Sequence, residues 1–403
     1  MSVDETSRRA FMLGAGCAGW GLTGGLHSAL AAVDPETVKA DLIPGFKPQE
    51  NDERGFWHEV SKIEDDVKKS NFLIRDGRLN NYISTLCCSL AKDFCPDIRV
   101  YLIRTPYFNA SMYPTGMMQV WTGLLLRMKS ESQLSAVLGH EIGHYLRRHM
   151  IAQYRSIRAK TSGYAFLAAP LAIATGGLGN LAVEMALLGS IYGFSREHER
   201  EADAFGLQLM DRRGLEPREA SKVWAQLLKE REETFKARGR KKPADPVFFA
   251  THPAPAERMA DLAAAAEALA KKSGKPYEDG RDRYVEVIRP WRPIFLADQI
   301  KLNDFGASMF LIESLTGEGW DGDLYFQKGE LYRIRNSAGD LDQALIWYDK
   351  ALAQTEAPAD SWRSKGLVLL KLGKKDEAKT AFRKYLDLKP DAPDRGMLEF
   401  YLQ

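Results

Sequence analysis

His140 and His144 stand four residues apart, with Glu141 directly after the first, in the run Ala136-Val137-Leu138-Gly139-His140-Glu141-Ile142-Gly143-His144. On a helix that spacing puts both imidazoles on one face, about one turn apart, where they can share a metal ion. Glu141 can then aim its carboxylate at a water on that ion. Histidine is scarce, 7 in 403 residues, so this H-E-x-x-H spacing is hard to reach by chance. The apolar residues before His140 supply the helical context that the motif requires.

A hydrolytic zinc site needs a third protein ligand and one position left open for water. The run Ser195-Arg196-Glu197-His198-Glu199-Arg200-Glu201-Ala202-Asp203 offers it. Glu199 and Asp203, four apart, share a helix face. Glu199 is the expected ligand, and Asp203 the acceptor that fixes the tautomer of one metal-bound histidine. Glu197 and Glu201 point elsewhere on that helix and are expected to be solvated. Two histidines and a carboxylate suit Zn2+ better than manganese or iron. The chemistry implied is attack on a peptide bond by a metal-activated water, with Glu141 as the general base and no covalent intermediate.

The elements that must hold these residues are mainly helices. Phe56, Trp57, Val60, Ile63 and Val67 recur at helical spacing, and residues 53–92 read as one helix. Residues 98–103 alternate as a strand should, and Met117 to Trp121 is a second strand entered through Pro114-Thr115-Gly116. Ser130 to Gln133 starts a helix expected to run to about Met150. On a continuous helix His149 falls off the ligand face and reads as structural. His58 and His198 have no expected role.

The first residues look different. Arg8-Arg9 precedes a Gly- and Ala-rich apolar run from Leu13 to Leu30 that ends in Ala29-Leu30-Ala31. This pattern predicts a twin-arginine export signal cleaved near Ala31, and so a periplasmic protein. An uncleaved anchor is the alternative, and Cys17 lacks the usual lipoprotein context. Without the signal, three cysteines remain: Cys95 can pair with Cys87 or Cys88, or all three stay thiols. Residues 163–193 are nearly uncharged, but Pro170 and Gly176-Gly177 divide them. A buried hairpin or a lid fits better there than a membrane span, though membrane contact stays open. The charge is balanced, with 56 basic and 54 acidic residues, so nucleic acid is not an expected partner.

Near the C-terminus, Trp362, Gly366, Leu369, Gly373, Ala378, Phe382 and Pro390 resemble the marker residues of a tetratricopeptide repeat. Gly329, Tyr332, Ala344, Tyr348 and Ala351 form an earlier copy. Residues 291–316 resemble a degenerate helix pair before it, and 392–402 a capping helix. Such an array predicts a concave face for a protein partner or an unfolded client.

Together these motifs resemble the gluzincin metallopeptidases that include the CAAX prenyl protease and the heat-shock protease HtpX, in particular the exported BepA-like branch with tetratricopeptide repeats. The resemblance rests on Asn109-Ala110, the His140 to His144 run, the Ser195 to Asp203 run and Thr251-His252-Pro253. It implies an α+β zincin-type domain, mostly helical with a small sheet, followed by an all-α repeat domain. It also places His252 near the metal, followed by Arg258. His252 would then stabilise the oxyanion, or take the open coordination position and hold the enzyme off. The implied substrates are misfolded or misassembled envelope proteins, whose backbone would pair with an edge strand at 117–121. The run Ser111 to Gly116 departs from the family's shorter turn. The expected layout is a signal over 1–31, a metallopeptidase domain over 32–275, a linker or degenerate repeat over 276–320, and repeats over 321–403. A repeat-based chaperone or assembly adaptor with weak or latent catalysis is the rival function.

Overall fold

Helix α1, Asn51–Lys69, stops at Ser70, and α2, Gly77–Ala91, begins only after Asp76 accepts a hydrogen bond from the Leu79 amide at 2.8 Å. The single helix expected over 53–92 is therefore two. The reason is tertiary: Ile74 N–H donates to Leu102 O at 2.9 Å and Arg104 N–H to Phe72 O at 2.8 Å. The sheet edge thus captures residues 72–74, and the Asp76 cap restarts the helix. The computed structural model describes residues 35, 37–160, 193–239, 248, 252 and 255–403. The expected export signal and nearly all of the 163–193 segment lie outside them. Among the described residues, no helix is long and apolar enough to cross a membrane.

Strands β1 (Arg99–Ile103), β2 (Ala110–Met112) and β3 (Met117–Trp121) form one sheet in the order β1-β3-β2. β1 runs parallel to β3, and β2 antiparallel to it. Met117 to Trp121 is thus the central strand, buried throughout, and not the edge strand expected from the sequence. The edge belongs to the shorter β2. Gly116 makes the connecting turn possible: its φ is +85°, and a Cβ there would collide with the Asp97 carbonyl.

α3 (Thr122–Arg127) follows, then α4 (Glu131–Leu146), capped by Ser130 Oγ, which accepts from the Gln133 amide at 3.1 Å. α4 does not continue to Met150. Arg148 turns into the left-handed region at φ +55°, and α5 (His149–Lys160) leaves in a new direction. α6 (Arg196–Arg213) starts at the Ser195 cap and ends at Gly214, with φ +76°. α8 (Pro255–Ser273) packs beside it, and α7 (Glu219–Ala237) packs against α8 and α4.

Leu102, Val120, Leu138, Phe205 and Trp224 belong to one buried cluster. It continues into Tyr284, Phe295, Leu311 and Leu331, on α9 (Arg281–Ile288), α10 (Arg292–Ile300), α11 (Phe305–Ser314) and α12 (Gly322–Arg335). Each such side chain fully removed from water stabilises the fold by about 1.5–3 kcal/mol. α13 (Asp340–Leu352), α14 (Asp360–Lys371), α15 (Lys375–Leu388) and α16 (Arg395–Leu402) complete the chain. Gly329 lies against the Tyr348 ring and Gly366 against the Phe382 ring, so two successive helix pairs use the same glycine–aromatic contact. Cys88 and Cys95 form a disulfide, leaving Cys87 a buried thiol.

Candidate metal centre

α4 and α6 cross almost backbone to backbone. A Cβ on Gly143 would stand 2.9 Å from Phe205 Cβ and 3.0 Å from Ala202 Cα, and one on Gly206 would stand 3.1 Å from the His140 backbone nitrogen. Small residues at this crossing let Glu199 and Asp203, on one face of α6, reach His140 and His144 on the facing side of α4.

His140 Nε2 and His144 Nε2 lie 3.0 Å apart. Glu199 Oε1 is 3.4 Å from His144 Nε2, and Glu199 Oε2 is 3.8 Å from His140 Nε2. His252 joins them, with Nδ1 2.8 Å from Glu199 Oε1 and 3.3 Å from His140 Nε2. One donor atom from each of these four buried side chains lies within 4.8 Å of the others. The Phe248 ring stacks on His252 at 4.1 Å, and the Phe194 ring on His144 at 3.9 Å.

Asp203 Oδ1 is 2.9 Å from His140 Nδ1. Arg258 forks onto Asp203, with Nε to Oδ2 and Nη2 to Oδ1 both at 2.6 Å, and also pairs with Glu199. Its guanidinium lies over Trp224 at 4.3 Å. Burial pushes Glu199 up, but the charges of Arg258 and His252 outweigh it and hold the carboxyl well below its ordinary range. Burial, with Arg258 beside it, brings His140 down to about 4 against the pull of Asp203. His144 is held well below its ordinary value, by burial first and then by His140.

Glu141 is 2% exposed, and its Oε1 has no hydrogen-bond partner. Burial raises it to about 7, although a backbone hydrogen bond from Met112 on β2 favours the charged form. A buried carboxylate oxygen without a donor is costly unless something absent here, such as a metal-bound water, completes it. The ring nitrogens agree. A neutral His140 that donates Nδ1–H to Asp203 turns its Nε2 lone pair toward His144 Nε2. These residues fit a divalent cation, Zn2+ first, which His140, His144, Glu199 and His252 could hold.

Two neighbours depart from expectation. His149 Nδ1 lies 2.9 Å from His144 Nδ1, because the turn at Arg148 brings the ring back to the ligand face. Glu201 is not simply solvated: its Oε2 lies 3.0 Å from His149 Nε2 and 2.9 Å from Arg147 Nε. His198 stacks on His149 at 4.3 Å. The sequence carries no Gly or Pro to announce the turn.

Beside the cluster, Trp121 N–H donates to Asn109 O at 3.1 Å and Tyr113 N–H to Met117 O at 2.8 Å. The odd-numbered residues of this segment thus face β3, so the backbone polar groups of Ala110 and Met112 face outward from the sheet.

Residues 74–266 match the model of peptidase family M48. The chain carries an M48 peptidase domain. Its matched range contains the sheet, α4, α6, His252 and Arg258. Residues 359–392 match a tetratricopeptide repeat, the stretch built from α14 and α15. The chain is 32% identical over 204 residues to a putative beta-barrel assembly-enhancing protease of Vibrio cholerae, covering 48% of this chain and 40% of that protein. It is 31% identical over 199 residues to the beta-barrel assembly-enhancing protease of Escherichia coli K12, covering 47% and 39%. With the mitochondrial metalloendopeptidase OMA1 of Schizosaccharomyces pombe it shares 34% over 160 residues, covering 40% and 44%. The M48 matches thus span about two fifths of the length of these relatives.

Proposed function

We propose that the protein is a zinc-dependent metalloendopeptidase that cleaves misfolded or misassembled envelope proteins. The observation that carries this reading is the convergence of His140, His144 and Glu199 donors beside the unpartnered oxygen of Glu141. Bound there, Zn2+ would acidify its water and polarise the scissile carbonyl. Glu141 takes the water's proton and passes it to the leaving amine, and its carboxyl, raised to about 7, suits both steps near neutral pH. Asp203 fixes His140 as the Nδ1–H tautomer, and Arg258 holds Asp203 and Glu199 in place. The substrate backbone lies extended along the outward edge of β2, its strand-like pairing leading to Glu141.

His252 is a fourth donor in the same cluster, which favours its reading as a ligand that keeps the resting enzyme latent until it withdraws. An assembly adaptor would have no use for a buried carboxylate with one oxygen left without a hydrogen bond beside two histidines. The names of the Vibrio and Escherichia relatives support an envelope setting. A twin-arginine signal over 1–31 would deliver the protein to the periplasm, and the repeats would dock a client or partner.

The test is cleavage of casein or an unfolded outer-membrane protein by the full chain and by His252→Ala. Loss of cleavage with a chelator and its return with Zn2+ is expected, with faster cleavage by His252→Ala. Cleavage that persists without metal would remove the reading.

A further inference from the structure

We propose that His149 is a positioning residue, held by Glu201, that sets the tautomer of His144 and so presents its Nε2 lone pair to the metal. The inference rests on the metal reading above and concerns residues that reading does not use. The geometry carries it. An ionised carboxylate only accepts hydrogen bonds, so Glu201 Oε2, 3.0 Å from His149 Nε2, requires the proton on that nitrogen. A neutral ring has one N–H, which leaves His149 Nδ1 an acceptor. His144 Nδ1 lies 2.9 Å from it and must be the donor. His144 is then the Nδ1–H tautomer, with its Nε2 free toward His140 and Glu199.

The two ligand histidines are thus oriented by different devices. His140 donates directly to a carboxylate, Asp203, whereas His144 reaches one through a second imidazole. The pair is built rigidly. His149 is 2% exposed and stacks on His198 with ring planes 13° apart, and Phe194 covers the His144 ring. Arg147 bonds Glu201 through Nε at 2.9 Å and Asp41 through Nη1 at 2.9 Å. Asp41 N–H in turn donates to Leu146 O at 2.8 Å, fastening the segment before α1 to the end of α4. The left-handed turn at Arg148 is what makes the contact possible.

The test uses the full chain and Zn2+ itself. Zinc affinity is measured by competition with a chromophoric chelator for wild type, His149→Leu and His149→Asn, together with the visible spectrum of each Co2+-substituted protein. Removing such an outer partner should weaken affinity about 10–100-fold. His149→Leu is therefore expected to lose that much and to shift the cobalt bands. His149→Asn, whose amide oxygen can accept in place of Nδ1, is expected to stay within about threefold of wild type. Equal zinc affinity and an unchanged cobalt spectrum in His149→Leu would overturn the proposal while leaving the metal site standing. A wild type that binds no zinc would instead remove the metal reading, and this inference with it. Nitrogen-15 spectra of the histidines in the wild-type zinc protein give a test without substitution. His149 should be the Nε2–H tautomer and His144 the Nδ1–H tautomer, and the reverse assignment would also overturn the proposal.

Discussion

Gly143 faces Ala202 across the helix crossing so closely that a Cβ on the glycine would stand 3.0 Å from the Ala202 Cα and from its carbonyl oxygen. Neither contact is the end of a flexible side chain, so any larger residue must separate α4 from α6. That separation acts directly on the site, because His144 follows Gly143 and Glu199 lies one turn from Ala202.

Gly143→Ala is therefore expected to harm zinc binding more than a Gly-to-Ala change on an exposed helix. Overpacking costs about 1–3 kcal/mol, offset by up to about 1 kcal/mol of better helix propensity. We expect a net loss of about 1–2 kcal/mol and roughly tenfold weaker zinc binding, read by denaturant unfolding and chelator competition. Unchanged zinc affinity would show that the spacing of the two helices does not set the site.

Arg258 neutralises the buried Glu199 and the partly buried Asp203. Arg258→Met leaves both without their cation, a change that typically costs about 3–5 kcal/mol when a buried pair is broken. Metal-free protein should show this loss in urea, and saturating Zn2+ should recover part of it by binding the folded state. A variant as stable as wild type without metal would contradict the ion-pair role.

Glu64 accepts from Arg99 Nε and Nη2 at 2.6 and 2.7 Å and from the Tyr101 hydroxyl at 2.7 Å, tying α1 to β1. The Arg99 hydrogen bonds hold its carboxyl below the ordinary value of 4.5 despite its burial. A carboxyl depressed in the folded state contributes fully above its unfolded value and loses that contribution as pH falls through the lower folded one. Glu64→Gln should therefore cost about 1–2 kcal/mol at pH 7. The gap from wild type should narrow as pH falls below 4.5, as judged from urea unfolding at neutral and at acidic pH. An equal gap at both pH values would locate the effect in packing.

Cys88 and Cys95 close a loop of sequence separation 7, while burial pushes the Cys87 thiol up to about 12. Native, unreduced protein should show no rapidly reactive thiol among these three, and one after unfolding in denaturant. Replacing both disulfide cysteines by serine should cost about 2 kcal/mol, the loop-entropy estimate for so short a loop. Two or more thiols among Cys87, Cys88 and Cys95 titrating in unreduced, unfolded protein would contradict the pairing.

Local pattern carried the candidate ligands His140, His144 and Glu199 into view, because H-E-x-x-H and the pair Glu199 and Asp203 each occupy one unbroken helix. It failed wherever a distant contact overrode it. Residues 70–76 leave the helical pattern because β1 binds their backbone, which no local periodicity records. The turn at Arg148 falls on a residue type that rarely adopts positive φ, so His149 looked remote from the site it touches. Met117 to Trp121 was legible as a strand. Its central place depended on β2, only three residues long, whose existence the sequence barely signals. The glycine–aromatic contacts of the repeats were legible because both members lie in the repeat pattern itself.

The most direct measurement compares zinc content and unfolded-protein cleavage in wild type and Glu141→Gln, each at equal folded concentration. Both proteins should hold about one Zn2+ per chain, and the glutamine variant should cleave about 10²–10⁴-fold more slowly, the usual loss on removing a general base. Cleavage by Glu141→Gln at the wild-type rate, with zinc bound, would contradict the assignment of Glu141 and of the mechanism built on it.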